Sequence, residues 1–318
     1  MDHRIITIVG PTASGKTAVA LDVAAAVGGE IVSADSRQLY RYMDIGTAKP
    51  TAAERSRAKH HLIDILEPAE RYDASRYADD AEDVIASLIE RGVEPLVVGG
   101  TGLYVRSLFE GLFKGPGRDD EIRQTLEERV VAVGAPVLHA ELVKVDPTTA
   151  ARVHENDSTR IVRALEVFTL TGIPMSEWQR GPSRQPRYRP AYYALSLDRE
   201  VLHERISARV DRMMEAGLVE EIRDLLVSRR LRPGVAAADA VGYREIIEAL
   251  ADGGDPARLR SAAEDIKTNT RRYARRQMTW FRSLDGVVWL DVGALGVAAT
   301  AEAIVSDWRA VTAGSRET

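Results

Sequence analysis

Ile5, Ile6, Thr7, Ile8 and Val9 form an unbroken β-branched run that ends at Gly10-Pro11, and from Gly15 the sequence turns helix-forming as far as Val27-Gly28-Gly29. A run with no polar alternation reads as a strand buried on both faces. Glu30-Ile31-Val32-Ser33-Ala34 follows directly, and two strands joined through a helix must lie parallel in one sheet. From Asp73 to Glu90 the apolar positions recur at helical spacing, until Arg91-Gly92 stops them ahead of the buried-type strand Pro95-Leu96-Val97-Val98. This opening stretch predicts a doubly wound α/β unit.

The pattern changes after Gly115-Pro116-Gly117. From Asp119 to about Leu170 only helical periodicity is found, with Asp119 and Asp157 as N-caps and Asp146-Pro147 as a helix start. A segment poor in order signals, Gly172 through Gly181-Pro182 to Pro186 and Pro190, leads into Ala191-Tyr192-Tyr193-Ala194-Leu195-Ser196-Leu197, which reads as another sheet strand. Helices are expected from Arg199 to about Arg230 and from Asp255 to Arg282, with a Pro233-Gly234 loop between them and a last strand at Gly286–Leu290. The fold class predicted is α/β: a P-loop-type parallel sheet core flanked by helices, residues 1–116 and 191–313, carrying an all-helical insertion at 117–190. Residues 314–318 are expected to fray, with order already lost from Thr312. The 318 residues thus make one discontinuous domain with an insertion, not two domains in tandem.

Composition narrows the chemistry. Hydrophobic residues are 45% and charged ones 29%, an ordinary globular mix. With no cysteine there is no disulfide framework, thiolate metal site or cysteine nucleophile. No apolar run approaches the roughly 18 residues of a membrane span, and Met1-Asp2-His3-Arg4 leads straight into a strand-like segment, so a soluble, cytoplasmic protein, acting as a monomer, is expected. The formal net charge of −5 excludes a uniformly basic nucleic-acid binder but not local patches. Lys267, Arg271, Arg272, Arg275, Arg276 and Arg282 lie in an acid-free stretch interleaved with Tyr273, Trp280 and Phe281. A second acid-free stretch holds Arg180, Arg184, Arg187 and Arg189. Arg271 and Arg275 share one helical face, with Arg272 and Arg276 on the next; either face could meet an RNA backbone or a diphosphate. Trp280 and Phe281 read as core residues, and the adjacent His60-His61, pointing to opposite sides, do not make a metal pair.

Gly10-Pro11-Thr12-Ala13-Ser14-Gly15-Lys16-Thr17 satisfies the Walker A pattern in its required context, after a strand and opening a helix. Consecutive amides and the helix N-terminus form an anion nest, Lys16 adds a point charge, and the Thr17 hydroxyl suits Mg²⁺. The strand at Pro95–Val98 runs into Gly99-Gly100-Thr101-Gly102 without the metal-holding acid usual in P-loop kinases. The acid stands instead at Asp35, directly after the second strand. Carboxyl ends of neighbouring parallel strands line one crevice, so Asp35, Thr101 and the phosphate loop should converge. The alternative for Asp35 is a plain cap of the following segment.

Together, G-P-T-A-S-G-K-T, D-S-R-Q-L-Y from Asp35, D-I-G-T-A-K-P from Asp44, G-G-T-G-L-Y from Gly99, R-A-L-E from Arg163, G-Y-R-E from Gly242 and R-R-Q-M-T-W-F-R from Arg275 resemble, in order, the tRNA dimethylallyltransferases. The resemblance implies transfer of a dimethylallyl group from dimethylallyl diphosphate to the exocyclic amine of the adenosine immediately 3′ of a tRNA anticodon. It implies Mg²⁺ as cofactor, Asp35 as general base and Thr101 beside the bridging oxygen of the leaving diphosphate. It also implies tRNA contacts at Asp35, Ser36, Arg37, Gln38 and Thr101, and at Arg123, Thr159, Arg160, Ile161, Val162 and Arg163 in the insertion, against the anticodon stem-loop. Residue type alone makes Arg123, Arg160 and Arg163 a solvated helix face. Rival readings are a P-loop small-molecule kinase, an isopentenyltransferase acting on free adenine nucleotides, and a non-enzymatic RNA-binding protein.

Overall fold

The computed structural model describes residues 3–112, 115–180 and 185–314. Gly181-Pro182 in the segment poor in order signals, the basic Arg184 and the expected fraying of 315–318 lie outside the described residues.

The described residues fall into two compact units, one within 1–109 and 187–318, the other within Glu110–Pro186. In the first, β1 (Arg4–Val9), α1 (Lys16–Val27), β2 (Gly29–Ser33), α2 (Ala52–Arg57), β3 (His60–His61), α3 (Ala74–Glu90), β4 (Glu94–Gly99) and α4 (Gly102–Phe109) follow one another. After the second unit come β5 (Arg189–Ser196), α10 (Arg199–Glu215), α11 (Leu218–Val227), α12 (Tyr243–Ala251), α13 (Pro256–Phe281), β6 (Val288–Asp291), α14 (Val292–Leu295) and α15 (Val297–Gly314). The six strands form one sheet in the order β3-β2-β4-β1-β5-β6, every neighbouring pair parallel. Every strand therefore ends on the same edge. Ile6 and Ile8 of β1, Leu96 of β4 and Tyr193 and Leu195 of β5 pack with α1 and α15 in one buried cluster. No helix among the described residues is long and apolar enough to cross a membrane.

Three expectations need revising. Residues 243–251, to which the sequence reading assigns no element, form α12, where Gly242 takes a non-helical turn and the Glu245 carboxylate accepts from its N–H at 2.8 Å. The expected helix from Arg199 to about Arg230 divides at Gly217, whose φ of 97° caps α11. Thr312 lies within α15, and its hydroxyl donates to Trp308 O at 3.0 Å. His60 and His61 make the short edge strand β3, with His61 Nε2 paired to Glu30.

The second unit is helical throughout: α5 (Asp120–Val133), α6 (Ala135–Val145), α7 (Pro147–Ala150), α8 (Ser158–Thr171) and α9 (Met175–Trp178). Asp119, Asp146 and Asp157 cap α5, α7 and α8 through their side chains. Ile161 and Val162 of α8 join Leu126, Leu138 and Leu142 in its core. Glu166 is fully buried there; it accepts from Asp119 N at 2.9 Å and Arg163 Nη1 at 3.0 Å, with Arg123 Nη2 3.7 Å away. Arg163 also donates to Pro116 O at 2.7 Å. Truncating Glu166 to alanine strands two half-buried guanidiniums. We expect it to lower stability by about 3 kcal/mol, the usual cost of breaking a buried pair from one side; a denaturant midpoint unchanged from the parent would show that the cluster contributes little.

Candidate active site

Three chain segments leave the carboxyl edge of the sheet side by side: the phosphate loop after β1, Ala34-Asp35 after β2 and Gly100-Thr101 after β4. Their spacing is fixed by backbone contact. Ala34 N donates to Val98 O at 2.8 Å and Thr101 N to Ala34 O at 3.1 Å. A Cβ on Gly99 would lie 2.1 Å from Ala34 O, so only glycine permits this approach. The Thr101 hydroxyl then accepts from Ser36 N at 2.9 Å and donates to Ser36 Oγ at 3.2 Å.

The Asp35 carboxylate uses Oδ1 to accept from Arg37 N at 2.8 Å and Gln38 N at 3.3 Å. The capping role is therefore real, and it aims the carboxylate as well. Among the described residues Oδ2 takes no hydrogen bond, so one oxygen stays available. Tyr273 of α13 shares a hydrogen bond with the Thr101 side chain; burial, then the charge of Asp35, pushes its hydroxyl up to about 12, and it stays protonated.

Lys16 lies over its own loop, donating to Gly10 O at 2.9 Å and Pro11 O at 2.7 Å. Burial first and then the charge of Arg209 lower its pKa from the ordinary lysine value, against the opposing charge of Asp35, to about 7. Arg209 of α10 donates to Thr12 Oγ1 at 3.2 Å, and burial, with Arg212 behind it, disfavours its charge while Asp35 favours it. Arg209 and Arg212 also line a cavity of about 840 Å³ bounded by the segment from Arg41 to Ala52. Across the crevice the buried Gln277 of α13 accepts from Thr12 N and donates to Gly100 O, each at 2.8 Å.

The phosphate loop fits a diphosphate with Mg²⁺. Ser14 Oγ is buried without a hydrogen-bond partner in the loop's interior, and the half-buried Thr17 sits in the first turn of α1, after the left-handed Gly15 at φ 94°. No group of three or more histidines or acids is placed to hold a metal among the described residues, so an ion here would draw its remaining oxygens from the ligand and water.

The other expected residues are placed as follows. Arg37 donates to Ala236 O, and Gln38 Nε2 to Thr47 O and Ala48 O at 3.3 and 3.2 Å. In the helical unit Thr159 and Arg160 are exposed, Ile161 and Val162 turn into the core, and Arg123 and Arg163 turn to Glu166. The solvated-face reading thus holds for Arg160 and fails for Arg123 and Arg163, because the buried carboxylate needs their charge. Arg271 turns inward to Ser207 Oγ at 2.8 Å, whereas Arg272, Arg275 and Arg276 are exposed. Phe281 is fully buried; Trp280 is half-buried, its ring where a Cβ on Gly102 would be. Sequence reasoning gave no role to Gln277, although its place between Ala274 and Phe281 on the buried face of a helix marks it as a polar group that must find partners. Arg209 carried no such signal.

Comparison with known proteins shows the family. The chain matches the family described as IPP transferase over residues 38–284 and that described as isopentenyl transferase over residues 3–69. The chain belongs to the IPP transferase family. It is 48% identical over 290 residues to a tRNA dimethylallyltransferase of Geobacter metallireducens, covering 91% of this chain and 92% of that one. To the tRNA dimethylallyltransferase of Carboxydothermus hydrogenoformans it is 43% identical over 309 residues, 96% and 98% of the two chains. Among solved structures it resembles the tRNA isopentenylpyrophosphate transferase of Bacillus halodurans, with a TM-score of 0.69, 37% identity and coverage of 98% and 99%. A eukaryotic dimethylallyltransferase acting on tRNA gives a TM-score of 0.75 at 28% identity, over 91% of this chain and 74% of that one.

The state of Lys16 makes a pH prediction. The free amine is half protonated near pH 7, whereas a bound diphosphate favours the ammonium. Affinity for inorganic diphosphate should be fully present below about pH 7 and weaken by up to about tenfold per pH unit above it, with proton uptake on binding. Titration calorimetry across that range checks this. Lys16→Gln should remove the Lys16 component; an unchanged pH slope in that variant would exclude it.

Proposed function

We propose that the protein is a tRNA dimethylallyltransferase that joins the dimethylallyl group of dimethylallyl diphosphate to the exocyclic amine of the adenosine immediately 3′ of the anticodon. One observation carries this reading: within a family of this activity, the crevice brings a phosphate loop together with an acid, Asp35, whose second oxygen takes no hydrogen bond among the described residues. The adenine amine is a poor nucleophile, its lone pair delocalised into the ring. As that lone pair forms the bond to C1 of the allyl group, Asp35 takes the amine proton. The C1–O bond breaks at the same centre, and its electron pair leaves on diphosphate. The loop amides of Ala13 and Gly15 to Thr17, Lys16 released from its two carbonyls, and Arg209 meet the charge that develops. The Thr17 hydroxyl would hold Mg²⁺ when it is bound, and the ion would supply further charge neutralisation to the leaving group. Thr101, by turning its proton from Ser36 Oγ, can donate to the bridging oxygen.

The target base must be extruded from a stacked loop to reach Asp35. The solvent-facing Arg272, Arg275 and Arg276 of α13 suit the tRNA backbone, as do Thr159 and Arg160 of the helical unit; Arg271, turned to α10, is a framework residue. A tRNA substrate supports a cytoplasmic location.

Radiolabelled dimethylallyl diphosphate should label unmodified tRNA in a single turnover, and Asp35→Ala should slow that step by about 10²–10⁴-fold while leaving tRNA binding nearly intact. An unlabelled tRNA, with phosphorylation of a metabolite instead, would favour the kinase reading; an undiminished rate in the variant would remove Asp35 as base. Replacing Arg275 and Arg276 by glutamine should flatten the salt dependence of tRNA binding by about 0.7–0.9 in log–log slope for each phosphate no longer neutralised. Equal slopes in variant and parent would place those arginines away from the RNA.

A further inference from the structure

Glu221, in α11, takes no part in the crevice, yet its carboxylate is saturated. Oε2 accepts from Asp44 N at 2.9 Å and Ile45 N at 2.8 Å; Oε1 accepts from Gly46 N at 3.3 Å and from the Tyr243 hydroxyl at 2.6 Å. Three consecutive amides converging on one anion form a nest of the kind that usually receives a ligand. Here a side chain fills it. The burial of Tyr243 and the charge of Glu221 hold the Tyr243 hydroxyl protonated and donating. A Cβ on Gly46 would lie 2.4 Å from the Tyr243 ring, so the loop sits directly on that side chain.

The loop needs such a hold. Tyr42 and Ala48, with φ of 65° and 49°, are in the left-handed region that L side chains seldom adopt. The loop is tied on its other side to the segment that carries Asp35. Gln38 Nε2 donates to the carbonyls of Thr47 and Ala48, while Gln38 N is one of the two donors on Asp35 Oδ1. The buried Lys49 adds a second tie, donating to Tyr40 O at 2.7 Å and to Asp44 and Asp64, each at 2.6 Å. A continuous chain of hydrogen bonds thus runs from Glu221 through residues 44–48 and Gln38 to the Asp35 carboxylate.

We propose that Glu221 is a positioning residue for Asp35: by clamping the amides of residues 44–46 it fixes Gln38, and with it the turn that aims the carboxylate at the substrate amine. This rests on the reading of Asp35 as the base. In Glu221→Gln the amide group that replaces one oxygen donates where it should accept, and it opposes the N–H groups it faces. The loop then loses its anchor while side-chain volume is kept.

The test is a double-mutant cycle on the single-turnover rate of allyl transfer at saturating tRNA and dimethylallyl diphosphate. In the parent background Glu221→Gln should slow transfer by about 10–100-fold, the usual penalty for misplacing a catalytic group by an ångström or less. In the Asp35→Ala background it should cost less than about twofold, since there is no carboxylate left to aim. Inorganic diphosphate should bind Glu221→Gln as it binds the parent. Should Glu221→Gln fail to fold, Tyr243→Phe, which removes one donor and leaves three, is read in the same cycle and should show a smaller loss that also vanishes with Asp35→Ala. Equal losses in the two backgrounds would make Glu221 a structural residue and overturn the proposal. A parental rate in Asp35→Ala alone would be a different failure, that of the base assignment itself.

Discussion

The side-chain amide of Gln277 sets the width of the crevice. It accepts from Thr12 in the phosphate loop and donates to Gly100 after β4, so one planar group spans the gap between two strand ends. Both bonds are to backbone groups that burial would otherwise leave unsatisfied, at a cost of about 1–3 kcal/mol each. The fit is close: a Cβ on Gly100 would lie 2.3 Å from Gln277 Nε2. With that separation fixed, Thr101 can reach Ser36 and Asp35 can share a field with Lys16 and Arg209. The rest of the site hangs on this brace.

Charge within the crevice is arranged for an anionic visitor. Lys16 and Arg209 are both driven toward losing charge by burial and by cationic neighbours, and Asp35 partly restores them. A polyanion entering such a place gains more than it would at an exposed surface, because the cations are already desolvated and fixed. Lys16 meanwhile occupies itself with two loop carbonyls, and Ser14 Oγ stays buried without a partner. The net charge of −5 over the chain coexists with this local excess of positive groups.

What the sequence made legible was local. The phosphate loop declares itself by residue type and spacing. Asp119 and Asp157 cap the helices they precede because a short acceptor just ahead of an apolar-periodic run has one obvious use. Parallel strand order made the meeting of Asp35 and Thr101 an expectation from two short motifs. What escaped depends on contacts remote in sequence. Gln277 bonds to residues 265 and 177 positions away, and Glu221 to a loop 175–177 positions away, with no local trace of either pairing. Arg123 and Arg163 look like surface arginines until the buried Glu166 is seen between them. α12 escapes because the glycine and proline signals upstream of it outweigh a nine-residue periodicity.

The central claim is that the phosphate loop holds a diphosphate that departs whole, and ³¹P NMR of the reaction mixture tests it most directly. With tRNA and dimethylallyl diphosphate as the only substrates, the account predicts one inorganic diphosphate released for each allyl group found in tRNA, no orthophosphate, and no need for ATP. Release of orthophosphate in step with turnover, or a requirement for ATP whose terminal phosphate is consumed, would contradict it.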